Sequence, residues 1–166
     1  MNGKIYRMTE AGVIAALYVV LTMLSNVFGL SSGIIQIRFS EMLCILPCFT
    51  VAAVPGLFVG CVISNLISGC ALWDIIFGSI ATVLGTAFTF AFRKNRYVAG
   101  LGPIISNTCI IPFILAYTYG AKEAIWLLMI FVGIGEFISA GIMGQILYTI
   151  LRKSRLFKNR NMASDK

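Results

Sequence analysis

Six side chains are placed where they could do chemistry, because each interrupts or borders long apolar sequence: Arg38, Glu41, Asn65, Asp74, Asn107 and Glu136. Ionisable and amide groups at membrane depth are costly, so they face a cavity or a partner. Three carboxylates, two amides and one guanidinium can hold a polar ligand by directed hydrogen bonds. They do not make a hydrolytic or redox set. The chain has no His and no GxSxG, HExxH or GxxxxGK[ST] sequence, so neither an enzyme nor nucleotide hydrolysis by this chain is expected. Cys44, Cys48, Cys61, Cys70 and Cys109 fall mostly inside apolar runs and read as small buried hydrophobes. Without His and without a second Cys pair, no metal site and no cofactor are expected.

Each polar residue also has a purely structural explanation. Asp74, following Trp73, is a good helix N-cap. Arg38 and Glu41, three apart near a helix start, can pair with each other. Asn65 and Asn107 can bridge helices by hydrogen bonds. Glu136 has the weakest such explanation, since no partner lies beside it in sequence.

The elements that must position these groups are apolar helices. The chain is 59% hydrophobic and only 11% charged, less than half the roughly 25% of a soluble domain. Of thirteen Lys and Arg residues, all but Arg38 and Lys122 fall in three places. Lys4 and Arg7 open the chain, Arg93, Lys94 and Arg96 sit mid-chain, and Arg152 to Lys166 close it. Basic residues flanking spans stay on the cytoplasmic side and touch anionic headgroups, so the net charge of +7 points to a lipid bilayer and not to nucleic acid.

Six apolar segments are legible, at about 9–28, 42–54, 56–69, 74–92, 100–118 and 124–151. A single helix from Met42 to Ser68 would be about 40 Å long against a hydrocarbon core of about 30 Å, so length does not decide the count. Charge does: only six spans bring all three basic clusters to one side. Pro55-Gly56 then reads as a tight cytoplasmic turn, since Pro stops one helix and suits the start of the next. The expectation is an all-α integral membrane protein of six transmembrane helices with both termini cytoplasmic. Residues 1–151 form one domain, residues 152–166 a basic cytoplasmic tail, and no cleaved leader is expected.

In this topology Glu41, Asn65 and Asp74 converge at the outer ends of three helices. Glu136 lies about 18 Å deep by helical rise, with Asn107 at a comparable depth. The polar groups thus line an outward-facing cavity, which the longest external loop, 29–41, either caps or leaves open. Trp73 and Phe77 flank Asp74 and could stack on a planar ring. Tyr117, Tyr119 and Trp126 fit an interfacial aromatic belt. Small residues recur at four-residue spacing in Ala11/Ala15, Gly12/Ala16, Gly56/Gly60, Ala81/Gly85 and Ala140/Gly144, which builds helix faces that allow close approach.

A small protein with basic ends, six spans and AxxxA in its first helix resembles the substrate-binding S component of energy-coupling factor (ECF) transporters. The segments Gln36–Glu41, Ala53–Cys61, Asn65–Gly69, Asp74–Ser79 and Gly133–Glu136 resemble the QueT family in particular, which is assigned to uptake of queuosine precursors. The likeness covers about Met8 to Leu151. It implies a multi-pass protein of the bacterial plasma membrane that captures a 7-deazaguanine. A membrane T component and two cytoplasmic ATPase subunits would drive the uptake. Ala11, Gly12, Ala15 and Ala16 would dock on the T component.

A carboxylate suits the guanine edge because it accepts from N1–H and the 2-amino group together. Glu136 or Glu41 would take that role, Asn107 and Asn65 would read the carbonyl and ring nitrogen, Asp74 would suit a cationic arm, and Trp73 or Phe77 would stack. The competing expectations are an S component for another vitamin or nucleobase-like ligand, and a stand-alone secondary transporter. The short chain without an inverted repeat disfavours the latter.

Overall fold

The computed structural model describes residues 3–31 and 35–154, and these are helical apart from the connections. Helix α1 spans Gly3–Val27, a 3-10 helix Phe39–Cys48, α2 Ala53–Ile67, α3 Leu72–Ala91 and α4 Arg96–Tyr117. The last helix runs from α5 (Ile125–Glu136) through a π-helical stretch, Phe137–Met143, into α6 (Gly144–Lys153). Ser32 and Gly33 of the first external loop, and the tail beyond Ser154, lie outside the described residues.

Among the described residues, four helices are long and apolar enough to cross a membrane: Gly3–Val27, Leu72–Ala91, Arg96–Tyr117 and the continuous Ile125–Lys153. The two other apolar elements are shorter. The 3-10 helix has 10 residues and α2 has 15, so each rises only about 20 Å. The described residues therefore contain six apolar segments, but not six helices of membrane-crossing length. The turn between the two short elements also differs from expectation. It occupies residues 49–52, and Pro55 lies in the first turn of α2, where its missing N–H has no helical acceptor to lose.

α1 and α2 run parallel in contact, from Ala11 beside Gly56 to Asn26, whose amide donates to the Ser68 hydroxyl at 2.8 Å. A Cβ on Gly56 would stand 2.7 Å from the Ala11 carbonyl oxygen, and one on Gly60 would stand 3.0 Å from that of Ala15. The Ala11/Ala15 face is thus consumed inside the fold, which corrects its reading as an outward docking face. Gly12 and Ala16, one residue further round the helix, remain exposed, and nothing approaches Gly12. Behind this seam lies the core, built from Ile14 and Tyr18 of α1, Leu43, Cys44 and Leu46 of the 3-10 helix, and Ala53, Leu57 and Cys61 of α2. The 3-10 helix is central, packing against α1, α2, α3, α4 and α6.

α3 and α4 form the most extensive pair. α4 contains Pro103 and Pro112, and Pro103 leaves the Ala99 carbonyl without its helical N–H donor. Thr89 of α3 supplies one: its hydroxyl donates to the Ala99 carbonyl at 2.9 Å and to that of Gly85 at 3.0 Å. Thr22, Ser79, Thr82 and Thr86 likewise donate to carbonyls one turn earlier, so their hydroxyls are satisfied within apolar packing.

Candidate functional site

A cavity of about 560 Å³ opens at the end of the bundle where α1 and α2 finish and α3 begins, opposite Arg7, Arg93, Lys94, Arg96 and Arg152. Arg38, Glu41, Asp74, Asn107 and Glu136 all line it, with Asn26, Ser31, Gln36, Thr82 and Tyr119 among their neighbours. Five of the eight residues expected at a ligand site thus come together here. Asn65 is fully buried behind the wall, where its side-chain oxygen accepts from Arg38 Nη2 at 3.4 Å. Trp73 and Phe77 are 58% and 40% exposed and pack on each other at 5.8 Å, outside the cavity. Their reading as stacking partners is corrected by the helix period: Asp74, Gly78 and Thr82 share the inner face at four-residue spacing. Trp73 and Phe77 each precede that stripe by one residue, about 100° round the helix.

The floor is formed by α4 and the end of α5. Asn107 Nδ2 donates to Glu136 Oε1 at 2.8 Å. Glu136 Oε2 is buried with no hydrogen-bond partner among the described residues. A carboxylate oxygen left unpaired in an apolar interior calls for a donor. The π-helical stretch begins directly after Glu136, and such widened turns recur at functional sites.

One wall is held differently. Tyr18 Oη donates to Glu41 Oε1 at 2.5 Å, and Cys44 Sγ donates to Oε2 at 3.2 Å. Both oxygens of Glu41 therefore have donors from the protein, unlike those of Glu136. Arg38 Nε is buried without a partner among the described residues. The backbone N–H of Arg38 donates to Ser139 Oγ at 3.2 Å, and that of Phe39 donates to Ser25 Oγ at 2.8 Å. These bonds tie the described end of the first external loop between α1 and the π-helical stretch. Gly135 permits it, since a Cβ there would run into the Gln36 carbonyl.

At the mouth, Tyr119 Oη donates to Asp74 Oδ2 at 2.9 Å and accepts from the Ala71 N–H at 3.1 Å. Burial and the adjacent Asp74 charge push this phenol up to about 12, against the opposing pull of the Ala71 N–H. It stays protonated, and so a donor, at any physiological pH.

The model of the QueT transporter family matches residues 8–153. The chain belongs to the QueT transporter family. It is similar to the "Queuosine precursor transporter QueT" of Lactococcus lactis subsp. cremoris (strain MG1363), at 38% identity over 104 residues. The alignment spans 60% of this chain and 60% of that protein. No solved structure matches. With four helices of membrane-crossing length among the described residues, this QueT family member is a multi-pass membrane protein.

Several residues that line the cavity or brace its walls in this QueT family member escape a reading of the sequence alone. Tyr119 reads as an interface aromatic, and nothing in the sequence singles out Tyr18. Ser139 is one of several small residues on its helix. A polar atom aimed across 45 residues, as from Tyr119 to Asp74, leaves no local spacing to detect.

Proposed function

We propose that this chain is the ligand-capturing membrane subunit of an ECF-type importer, and that its ligand is a 7-deazaguanine precursor of queuosine. The observation that carries the reading is the floor of the cavity. Glu136 holds one oxygen on Asn107 and leaves the other buried without a donor among the described residues. The N1–H and 2-amino group of a guanine edge offer two parallel donors that suit such a carboxylate, and hydrogen bonds to a charged acceptor are the stronger kind. Arg38 supplies a donor for the ring carbonyl from the opposite wall. Family membership and the printed name of the Lactococcus lactis relative favour the same ligand class.

The six apolar segments alternate in direction, with Arg93, Lys94, Arg96, Arg152 and Lys153 at the end away from the cavity. Under the positive-inside bias this arrangement favours cytoplasmic termini and an outward cavity mouth. The two short elements cross only together with their connecting segments. The exposed Gly12/Ala16 face of α1 is the surface offered to a membrane T component, which two cytoplasmic ATPase subunits would drive.

Uptake by reconstituted vesicles tests this arrangement. Transport of a 7-deazaguanine should need the coupling subunits and ATP, and should stop when Gly12 is changed to Leu. Uptake by this chain alone, without ATP, would contradict it.

A further inference from the structure

A second hollow, of about 790 Å³, lies at the basic end of the molecule between α4 and the last helix. It shares no lining residue with the ligand cavity. α4 packs extensively on α5, and the contact thins through the π-helical stretch and α6, so the two helices part toward this end. Gly141 keeps the gap open: it lines the hollow, and a Cβ there would already stand 3.4 Å from Ile104 and from the Phe137 ring. The walls are apolar, with Leu101 on α4 and Phe137, Ile142, Ile146 and Ile150 on the last helix all exposed.

Arg96 stands at the rim, the one charged group among the described residues that line the groove. Gln145 crosses the gap beside Gly100, where a Cβ would come within 2.9 Å of its amide nitrogen, and donates to the Arg96 carbonyl at 2.7 Å. The Arg96 guanidinium lies 4.6 Å from the Tyr97 ring centroid and 5.8 Å from that of Tyr148, placements favourable for a cation. Its Nη2 donates to the Tyr97 hydroxyl at 2.5 Å. All these partners are neutral, so the groove holds a positioned cation without a counter-charge among its described residues. From Arg96 to Ile104 the groove follows α4 for about 12 Å, and from Ile150 to Phe137 it follows the last helix for about 20 Å. Half of a hydrocarbon core is about 15 Å. The groove therefore runs from headgroup level to near the middle of the bilayer, the reach of one acyl chain.

Any apolar face of a membrane protein touches lipid, and basic flanks attract anionic headgroups in general. Two features exceed that background: the surface is a hollow between two helices, where a single helix would be convex, and a cation is fixed at its rim. No residue of α1 lines it, so it is separate from the exposed Gly12/Ala16 face. We infer that this groove is a binding site for an anionic phospholipid of the leaflet beside the basic clusters. One acyl chain lies between α4 and the last helix, and Arg96 holds the phosphate, for which a guanidinium is well suited.

Native mass spectrometry and melting curves of the full chain in mild detergent test the site, with phosphatidylglycerol and phosphatidylcholine of identical acyl chains as probes. Phosphatidylglycerol should be retained at least about fivefold more tightly, the effect of one basic group at an anionic headgroup, and should raise the melting point more. Arg96→Gln should remove that preference. Arg93→Gln, in the same basic cluster but outside the groove, should keep it. Gly141→Leu fills the groove and should weaken retention of both lipids; if that variant does not fold, the two arginine variants decide alone. Equal retention of the two lipids by the wild type, or an equal loss of preference in Arg93→Gln and Arg96→Gln, would reduce the effect to general surface charge and overturn the inference. Unaltered lipid retention in folded Gly141→Leu would also overturn it, and loss of coupling subunits from that variant on co-purification would then assign the groove to a protein partner.

Discussion

Asn107 and Glu136 are joined by a 2.8 Å hydrogen bond from amide to carboxylate, linking the middle of α4 to the end of α5 where the helix widens into its π-helical stretch. The bond orients Glu136 and leaves Oε2 as the acceptor in need of a donor. Asn107→Leu removes the orienting amide, so ligand affinity should fall by about tenfold or more, the effect of one hydrogen bond to a charged group. Asn107→Asp sets a second carboxylate against the first. It should lower the melting temperature in detergent as well as the affinity, since like charges at this depth cannot both stay ionised. A melting curve unchanged in Asn107→Asp would show that the two side chains do not meet.

The two interleaved small-residue pairs of α1 should behave in opposite ways. Gly60→Leu drives a side chain into Tyr18 and the Ala15 backbone, and overpacking of this kind costs about 1–3 kcal/mol or more. It should unfold the protein or lower its melting point strongly. Gly12→Leu meets nothing within 4 Å, so the isolated subunit should melt as the wild type does. Its defect should appear only when co-purification with coupling subunits is measured. Equal destabilisation by both would contradict the packing of α1 on α2.

Thr89 and Pro103 should be thermodynamically coupled. Thr89→Val strips the Ala99 carbonyl of its donor, which should cost about 1 kcal/mol, typical of a side-chain hydrogen bond between membrane helices. Pro103→Ala restores the backbone N–H that the proline lacks. In the Pro103→Ala background, Thr89→Val should therefore cost measurably less. Additive effects in the double-mutant cycle would contradict this account of the two residues.

Trp73 and Phe77 lie on the outer surface, so replacing either by Ala should leave ligand affinity within about twofold, whereas a ring stacked on the ligand would contribute about 0.5–1.5 kcal/mol. A tenfold loss in either variant would place them in the site after all.

What was legible in the sequence follows from which signals are local. Apolar runs and basic flanks mark the six segments because hydropathy and charge act residue by residue. Pro55 marks a boundary, yet a proline suits a helix start as well as a stop. The turn could therefore be placed several residues late. The 10-residue 3-10 helix has no signature distinct from a short apolar α-helix. AxxxA announces a close-packed face but cannot say whether its partner is Gly56 and Gly60 of the same chain or another subunit. Glu136 stood out because a lone carboxylate in apolar sequence needs explanation. Tyr119 did not, because an interfacial tyrosine needs none.

The most direct test of the central claim is equilibrium binding of 7-deazaguanines, with guanine for comparison, to purified wild-type protein and to Glu136→Gln. Gln is nearly isosteric and removes a buried charge, so the variant should stay folded, with a melting point equal to or above the wild type. The account predicts saturable binding of a deazaguanine by the wild type and a loss of at least about tenfold in Glu136→Gln, as for a hydrogen-bonded charged acceptor. Undiminished affinity in the folded variant, or no saturable binding by the wild type, would contradict it.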